Sequence, residues 1–210
     1  RDTDARRCAV LAHTRPTIKA GSCQSQRIYR MSDHLAWAQW WASPWRFSHP
    51  DATSAQAYHA LPALCRSQPA LACAALGIEP CLPPPPRATV LGLALASREQ
   101  FDLAIALLEL TCHPNVDSPL YDEHRKWCER LAKALHPDAL LQPENDPLQL
   151  LRAWVEPAVW QRLRLRLPPD RVQALETTHL PIDDAHGRLN TLWQAIVWRI
   201  EATGSETNRR

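Results

Sequence analysis

The sequence predicts a mainly α protein, an irregular multi-helix bundle of short, proline-bounded helices with little or no β-structure. Three observations carry that prediction. The 210 residues include 19 Pro, which is tolerated in a first helical turn and breaks a helix interior, so helices must be short and end abruptly. Only 5 Gly are present, few for the positive-φ turns that many tight hairpins need. Apolar residues recur at helical spacing through most of the chain beyond residue 31. An apolar fraction of 45% with 22% charged residues is ordinary for a globular protein. A chain of this length buries a real core without metal or disulfide staples.

Residues 1–30 are rich in Arg, Ser, Thr and Gln and show no apolar face, so they read as a disordered tail or an upstream extension preceding a start at Met31. A helix should begin at Ser32 or Asp33, carry Leu35, Trp37, Trp40 and Trp41, and stop at Ser43-Pro44. A loop with Trp45 and Phe47 follows, to Asp51. A second helix starts near Thr53 or Ser54 with Tyr58, Leu61 and Leu64 inward. A third follows Pro69 and ends at Gly77, where a C′ glycine is favoured. Pro83–Pro86 must run as polyproline II, a stiff connector. It divides an N-terminal helical part (31–82) from a larger C-terminal bundle (87–204), with 205–210 as a frayed tail.

Beyond the prolines a short helix spans Arg87–Ala96. Ser97, with Glu99 and Gln100 in the first turn, caps a helix over Arg98–Cys112 that is apolar on almost every side and therefore central. Ser118-Pro119 opens a helix to about Leu135, with Leu120, Trp127, Leu131 and Leu135 on one face and a charged run on the other. Another begins near Pro147, with Leu148, Leu151 and Val155, and is interrupted at Glu156-Pro157. Residues 162–167 alternate Arg and Leu, so an edge strand and a helical end are equally open, and Pro168-Pro169 closes the segment. The last helix runs from about Ala185 to Thr203, before Gly204.

Net charge is +2, so no global field draws nucleic acid or an acidic membrane. No window of about 18 uninterrupted apolar residues exists for direct membrane insertion, and the first residues hold no apolar signal-peptide core. The 7 Cys are scattered without a CxxC pair, which removes the main support for a zinc ribbon or a thioredoxin-like motif and leaves them as buried thiols.

His124 and Cys128 stand four apart and could share a metal, but no second pair stands at ligand spacing. Asp183, Asp184 and His186 resemble a carboxylate–histidine group, and equally a helix N-terminus where acids cap and oppose the dipole. No P-loop, GxGxxG, HExxH or GxSxG occurs. Catalytic, cofactor-binding and metal residues are therefore expected to be none. What remains is binding chemistry. Trp37, Trp40, Trp41 and Trp45 offer large area with one polar handle, and Arg162, Arg164, Arg166 and Arg171 form the one dense basic run, suited to an acidic protein surface or simply solvated. Trp40, Trp41, Trp45, Phe47, His49, Arg162, Arg164 and Arg166 are the expected protein-interface residues.

The stretch Trp41-Ala42-Ser43-Pro44-Trp45-Arg46-Phe47-Ser48-His49-Pro50 resembles the Pro-x-x-aromatic-x-His-Pro signature near the start of the OrgA/MxiK group. This is the SctK class of type III secretion proteins, with its YscK-like members. Leu61-Pro62 leading to Leu76-Gly77, and Leu150-Leu151 through Trp160–Pro168, are similar to the same family. Ala42, where an aromatic is expected, and the tetraproline depart from it. The resemblance implies a cytoplasmic, non-catalytic adaptor of the injectisome sorting platform, peripheral to the inner membrane. Its partners would be the cytoplasmic domain of the inner-membrane ring protein and an SctQ-class pod protein, and indirectly the stalk and ATPase. The alternatives are a small helical chaperone or regulator holding one client, and a cryptic metal hydrolase using His124 and Cys128.

Overall fold

The computed structural model describes residues 21–51, 61–114, 120–178, 180, 182 and 187–207. These form ten α-helices and, among the described residues, no strand: α1 (Gly21–Ala42), α2 (Leu61–Ser67), α3 (Pro69–Ala75), α4 (Ala88–Leu95), α5 (Arg98–Cys112), α6 (Asp122–Leu135), α7 (Leu148–Trp154), α8 (Pro157–Leu163), α9 (Pro169–Thr177) and α10 (Arg188–Thr207). Single 3-10 turns sit at Pro44–Phe47, Pro137–Ala139 and Arg164–Arg166. The mainly α class expected from the prolines and the helical spacing is the one observed. Pro44, Pro69, Pro157 and Pro169 each stand at a first helical position, where the missing N–H costs nothing.

Helix α5 is the centre, with α6 and α10 packed along it and α4 bridging α10 to α1. Its start is fixed by a reciprocal capping box: the Gln100 N–H donates to Ser97 Oγ at 3.2 Å, and the Ser97 N–H donates to Gln100 Oε1 at 2.9 Å. Such a cap contributes about 1 kcal/mol. Phe101, Ala104, Leu107, Leu108 and Leu110 are then buried on several sides of one helix, each large side chain stabilising by about 1.5–3 kcal/mol. Gly92 lets α4 press against α10, because a Cβ there would come within 2.8 Å of Val197 Cγ1.

Some expectations meet a different structure, and one left open is decided. Helix α1 begins at Gly21 and runs through Met31, ahead of the expected start at Ser32. The expected boundary at the tetraproline does not separate two cores: one apolar cluster joins Trp37, Trp40 and Trp41 to Val90, Leu107, Leu151 and Ile196. The alternating stretch 162–167 is the end of α8 and a 3-10 turn. Its period of two does not mark two faces of a sheet, because Arg162, Leu163, Leu165, Arg166 and Leu167 are all buried. Pro168-Pro169 closes that segment as expected and also opens α9, which the sequence reading passed over. The expected starts of the second helix near Thr53, of α6 at Ser118 and of α10 at Ala185 lie outside the described residues, as do most of 1–30 and 205–210's last residues. Helix α10 continues through Gly204 to Thr207.

Candidate functional site

The Trp-rich end of α1 meets the run between α3 and α4. Trp37 and Trp41 are one helical turn apart, so their indoles share a face, with ring centroids 5.5 Å apart. Trp37 Nε1–H donates to Pro84 O at 2.8 Å and Trp41 Nε1–H to Cys81 O at 3.0 Å. Those carbonyls are three residues apart, one turn of a polyproline II helix. The tetraproline is thus a strap held by two tryptophans of the same chain. Trp40 turns inward and is 1% exposed, with its ring stacked 5.0 Å from that of Trp37.

The arginine run is spent on helix ends. A helix leaves its last carbonyls unsatisfied and carries a partial negative charge there. Arg166, 3% exposed, donates from Nη1 to Leu93 O and Ala94 O at 3.0 and 2.8 Å. From Nη2 it donates to Ala96 O and Ser97 O at 2.7 and 3.1 Å, closing the C-terminus of α4. Its guanidinium lies between Phe101 and Phe47, 4.1 and 5.6 Å from the ring centroids. Burial, with Arg98 nearby, pushes Arg166 down to about 10, so it stays charged at neutral pH.

Arg164 closes α3 in the same way, donating from Nη2 to Leu76 O and Gly77 O, both at 3.0 Å. Its Nη1 grips both Glu176 oxygens at 2.7 and 2.9 Å. That helix end is a Schellman turn: Ile78 N–H donates to Cys73 O at 2.9 Å and Gly77 N–H to Ala74 O at 3.0 Å, with Gly77 at φ 63°. Arg162, also 3% exposed, donates from Nε to Trp41 O at 3.3 Å and from Nη1 to Ala158 O at 2.8 Å. Its guanidinium carbon stands 3.6 Å from the Trp41 ring centroid. Arg152 treats α9 alike, reaching Leu175 O and Thr178 O from α7.

The expected interface residues therefore divide. Trp40, Trp41, Arg162 and Arg166 are buried in the chain's own core: the Trp41 indole and both guanidiniums found carbonyl partners inside it, and Trp40 is held by its ring stacking on Trp37. Trp45, Phe47, His49 and Arg164 are half-buried. The structure brings Trp41, Phe47, His49 and the three arginines together: the His49 N–H donates to Leu165 O at 2.7 Å, tying the loop after α1 to the 3-10 turn after α8. Beside this turn an open groove of about 450 Å³ is lined by Leu76, Leu165, Leu167, Pro169 and Val172, with Arg164 and Glu176 in its wall. The sequence reading missed the exposed aromatics, Trp198 on α10 and Tyr121 before α6, at 64% and 82% exposure. Trp198 was findable, since it falls off the stripe of Leu189, Leu192, Trp193, Ile196 and Ile200.

His124 and Cys128 are accounted for by local partners. His124, 8% exposed, accepts at Nδ1 from Arg199 Nε at 3.3 Å, and Arg199 Nη2 donates to Glu123 Oε1 at 2.6 Å. Burial, and then Arg199, hold the His124 imidazole below its ordinary pKa. Cys128 Sγ faces Leu107 O at 3.5 Å. A guanidinium thus occupies the imidazole lone pair that a metal would use. No group of three metal-ligating side chains occurs among the described residues. Asp183, Asp184 and His186 lie outside them. Arg171 bridges Glu109 at 2.7 Å and Asp146 at 2.7 Å, joining α9 to α5 and to the loop before α7. Burial raises the Asp146 carboxyl, but the Arg171 bonds and the Leu148 N–H outweigh it and hold it below its usual range. Compared with protein-family models, curated proteins and solved structures, the chain matches none.

Proposed function

We propose that this chain is a non-catalytic helical adaptor that works by binding other proteins. In its finer form the reading is an SctK-class component of a type III secretion sorting platform. It would link the cytoplasmic domain of the inner-membrane ring protein to an SctQ-class pod protein, peripheral to the membrane. One observation supports the finer reading above the others. Two of the three stretches that carry the family resemblance, 41–50 and 150–168, pack on one another through His49 on Leu165, Arg162 on Trp41 and Arg166 on Phe47. Signature residues far apart in sequence therefore belong to one structural unit, as the marks of a single family fold should. No helix among the described residues is long and apolar enough to cross a membrane, in keeping with a peripheral position.

The test is affinity purification of the tagged full chain from its native bacterium, with mass spectrometry of the co-eluting proteins. The adaptor reading expects ring, pod and stalk proteins of one secretion apparatus. It expects less of them with Trp198→Ala, since an exposed tryptophan is the residue type that most often carries binding energy. Recovery of a single unrelated client, with none of those proteins, would sink the sorting-platform reading in favour of a chaperone.

A further inference from the structure

We propose that Leu82–Arg87 is a docking segment, read by an aromatic-lined, acid-edged groove on a partner protein. The inference does not rest on the sorting-platform reading and starts from the most exposed apolar side chain. Leu82 is 90% exposed, more than any other large apolar residue described. It stands at the head of four prolines, and each residue before a proline is itself held extended. Arg87 carries that conformation up to the first turn of α4, at φ −88° and ψ 129°. The segment is therefore a polyproline II rod of about 16 Å, at about 3.1 Å per residue.

A polyproline II helix repeats every three residues and so presents three ridges. This chain uses one of them. The Cys81 and Pro84 carbonyls accept from Trp41 Nε1–H at 3.0 Å and Trp37 Nε1–H at 2.8 Å, and Pro84 is half-buried. The Leu82/Pro85 ridge is exposed at both residues, and Pro83 on the third ridge is exposed too. No described residue donates to the carbonyls of Leu82, Pro83 or Pro85. Exposed ridges with free acceptors are what an aromatic-lined groove reads. Its rings pack between the ridges, and its indole and phenol groups donate to the carbonyls.

Shape and charge together select that occupant. A partner strand cannot pair with the strap, because four consecutive prolines carry no N–H. A groove of rings needs no donor from its ligand. At the end of the strap Arg87 is exposed, its guanidinium carbon 4.7 Å from the Trp154 ring centroid. No carboxylate among the described residues pairs with it, so its charge calls for an acidic side chain at that end of the groove. The two tryptophans hold the strap in its docking conformation beforehand, and a partner is spared the cost of ordering it.

The probes are purified modules that bind polyproline II through aromatic grooves: a WW, an SH3 and an EVH1 domain. Each is isotope-labelled and titrated with the folded full chain, and the indole N–H signal of its groove tryptophan is followed by NMR. At least one should bind, with its groove signals moving most. Leu82→Ala keeps the backbone and removes only an exposed side chain, so the chain should fold as before. It should weaken that binding about tenfold. Arg87→Gln should weaken it less and flatten its salt dependence. Trp198→Ala removes an exposed ring elsewhere, on α10, and should bind as the parent chain does. Binding by none of the modules, undiminished binding by Leu82→Ala, or an equal loss in Trp198→Ala would each overturn the proposal.

Discussion

Helix α6 and the turn at 162–166 are both dense in positive charge, and they use it in opposite ways. On α6, Lys126, Arg130 and Lys133 stand in water beside Asp122, Glu123 and Glu129. At 162–166 two of the three arginines are buried, and all three guanidiniums are spent on the carbonyl ends of other helices, those of α1, α3 and α4. The difference is one of partner. An exposed charge on a long helix competes with bulk water and contributes little. A guanidinium whose fork matches several unsatisfied carbonyls replaces the water they lost. With only 5 Gly in the chain, most helix ends cannot use a glycine cap. The short helices here are closed from a distance by arginine.

Breaking the buried side of that comparison should have the largest effect. Arg166→Met takes the side-chain donor from the carbonyls of Leu93, Ala94 and Ala96 at the end of α4, and from Ser97 O, which keeps the Phe101 N–H, and should cost about 3 kcal/mol or more, read from the midpoint of urea unfolding. Arg166→Lys should rescue little of it, since a point ammonium cannot reach four acceptors from two edges. Gly77→Ala comes next. It forces a side chain into the left-handed region, at about 1–2 kcal/mol. It also sets a Cβ 2.8 Å from Arg164 Nη2, so the loss should shrink when combined with Arg164→Ala.

Much of this was readable along the chain. The Ser97 cap, the Gly77 end, the all-round burial of α5 and the stop at Ser43-Pro44 are signals contained within a few residues, and each stands where the sequence put it. The clasp was not readable. Arg166 meets carbonyls some seventy positions away, and its charge looks the same in sequence as that of Lys133. The strict Arg–Leu alternation imitated a strand because the polar member of the pattern was buried too. Four tryptophans suggested a surface for the same reason, since the carbonyls of Cys81 and Pro84 that satisfy Trp41 and Trp37 are supplied by the strap. Helix α9 went unseen because Pro168-Pro169 signals a stop and a start equally well.

Acid sharpens the comparison with a smaller effect. The Asp146 carboxyl titrates below its unfolded value, so the stability it brings is present above about pH 4 and lost as the pH falls through the depressed folded pKa. Arg171→Leu should flatten that acid limb in a pH series of thermal midpoints. On α6, Lys133→Ala should change stability by no more than about 0.5 kcal/mol, measured the same way.

The most direct measurement sets two double substitutions of equal charge side by side in equilibrium urea unfolding: Arg162→Gln with Arg166→Gln, against Lys126→Gln with Lys133→Gln. If the arginine run is a clasp on helix ends, the first pair should lose roughly 5 kcal/mol or fail to fold, and the second should stay within about 1 kcal/mol of the parent chain. Equal, small losses in both would mean that the guanidiniums at 162 and 166 are as dispensable to the fold as the lysines of α6, and would contradict the clasp.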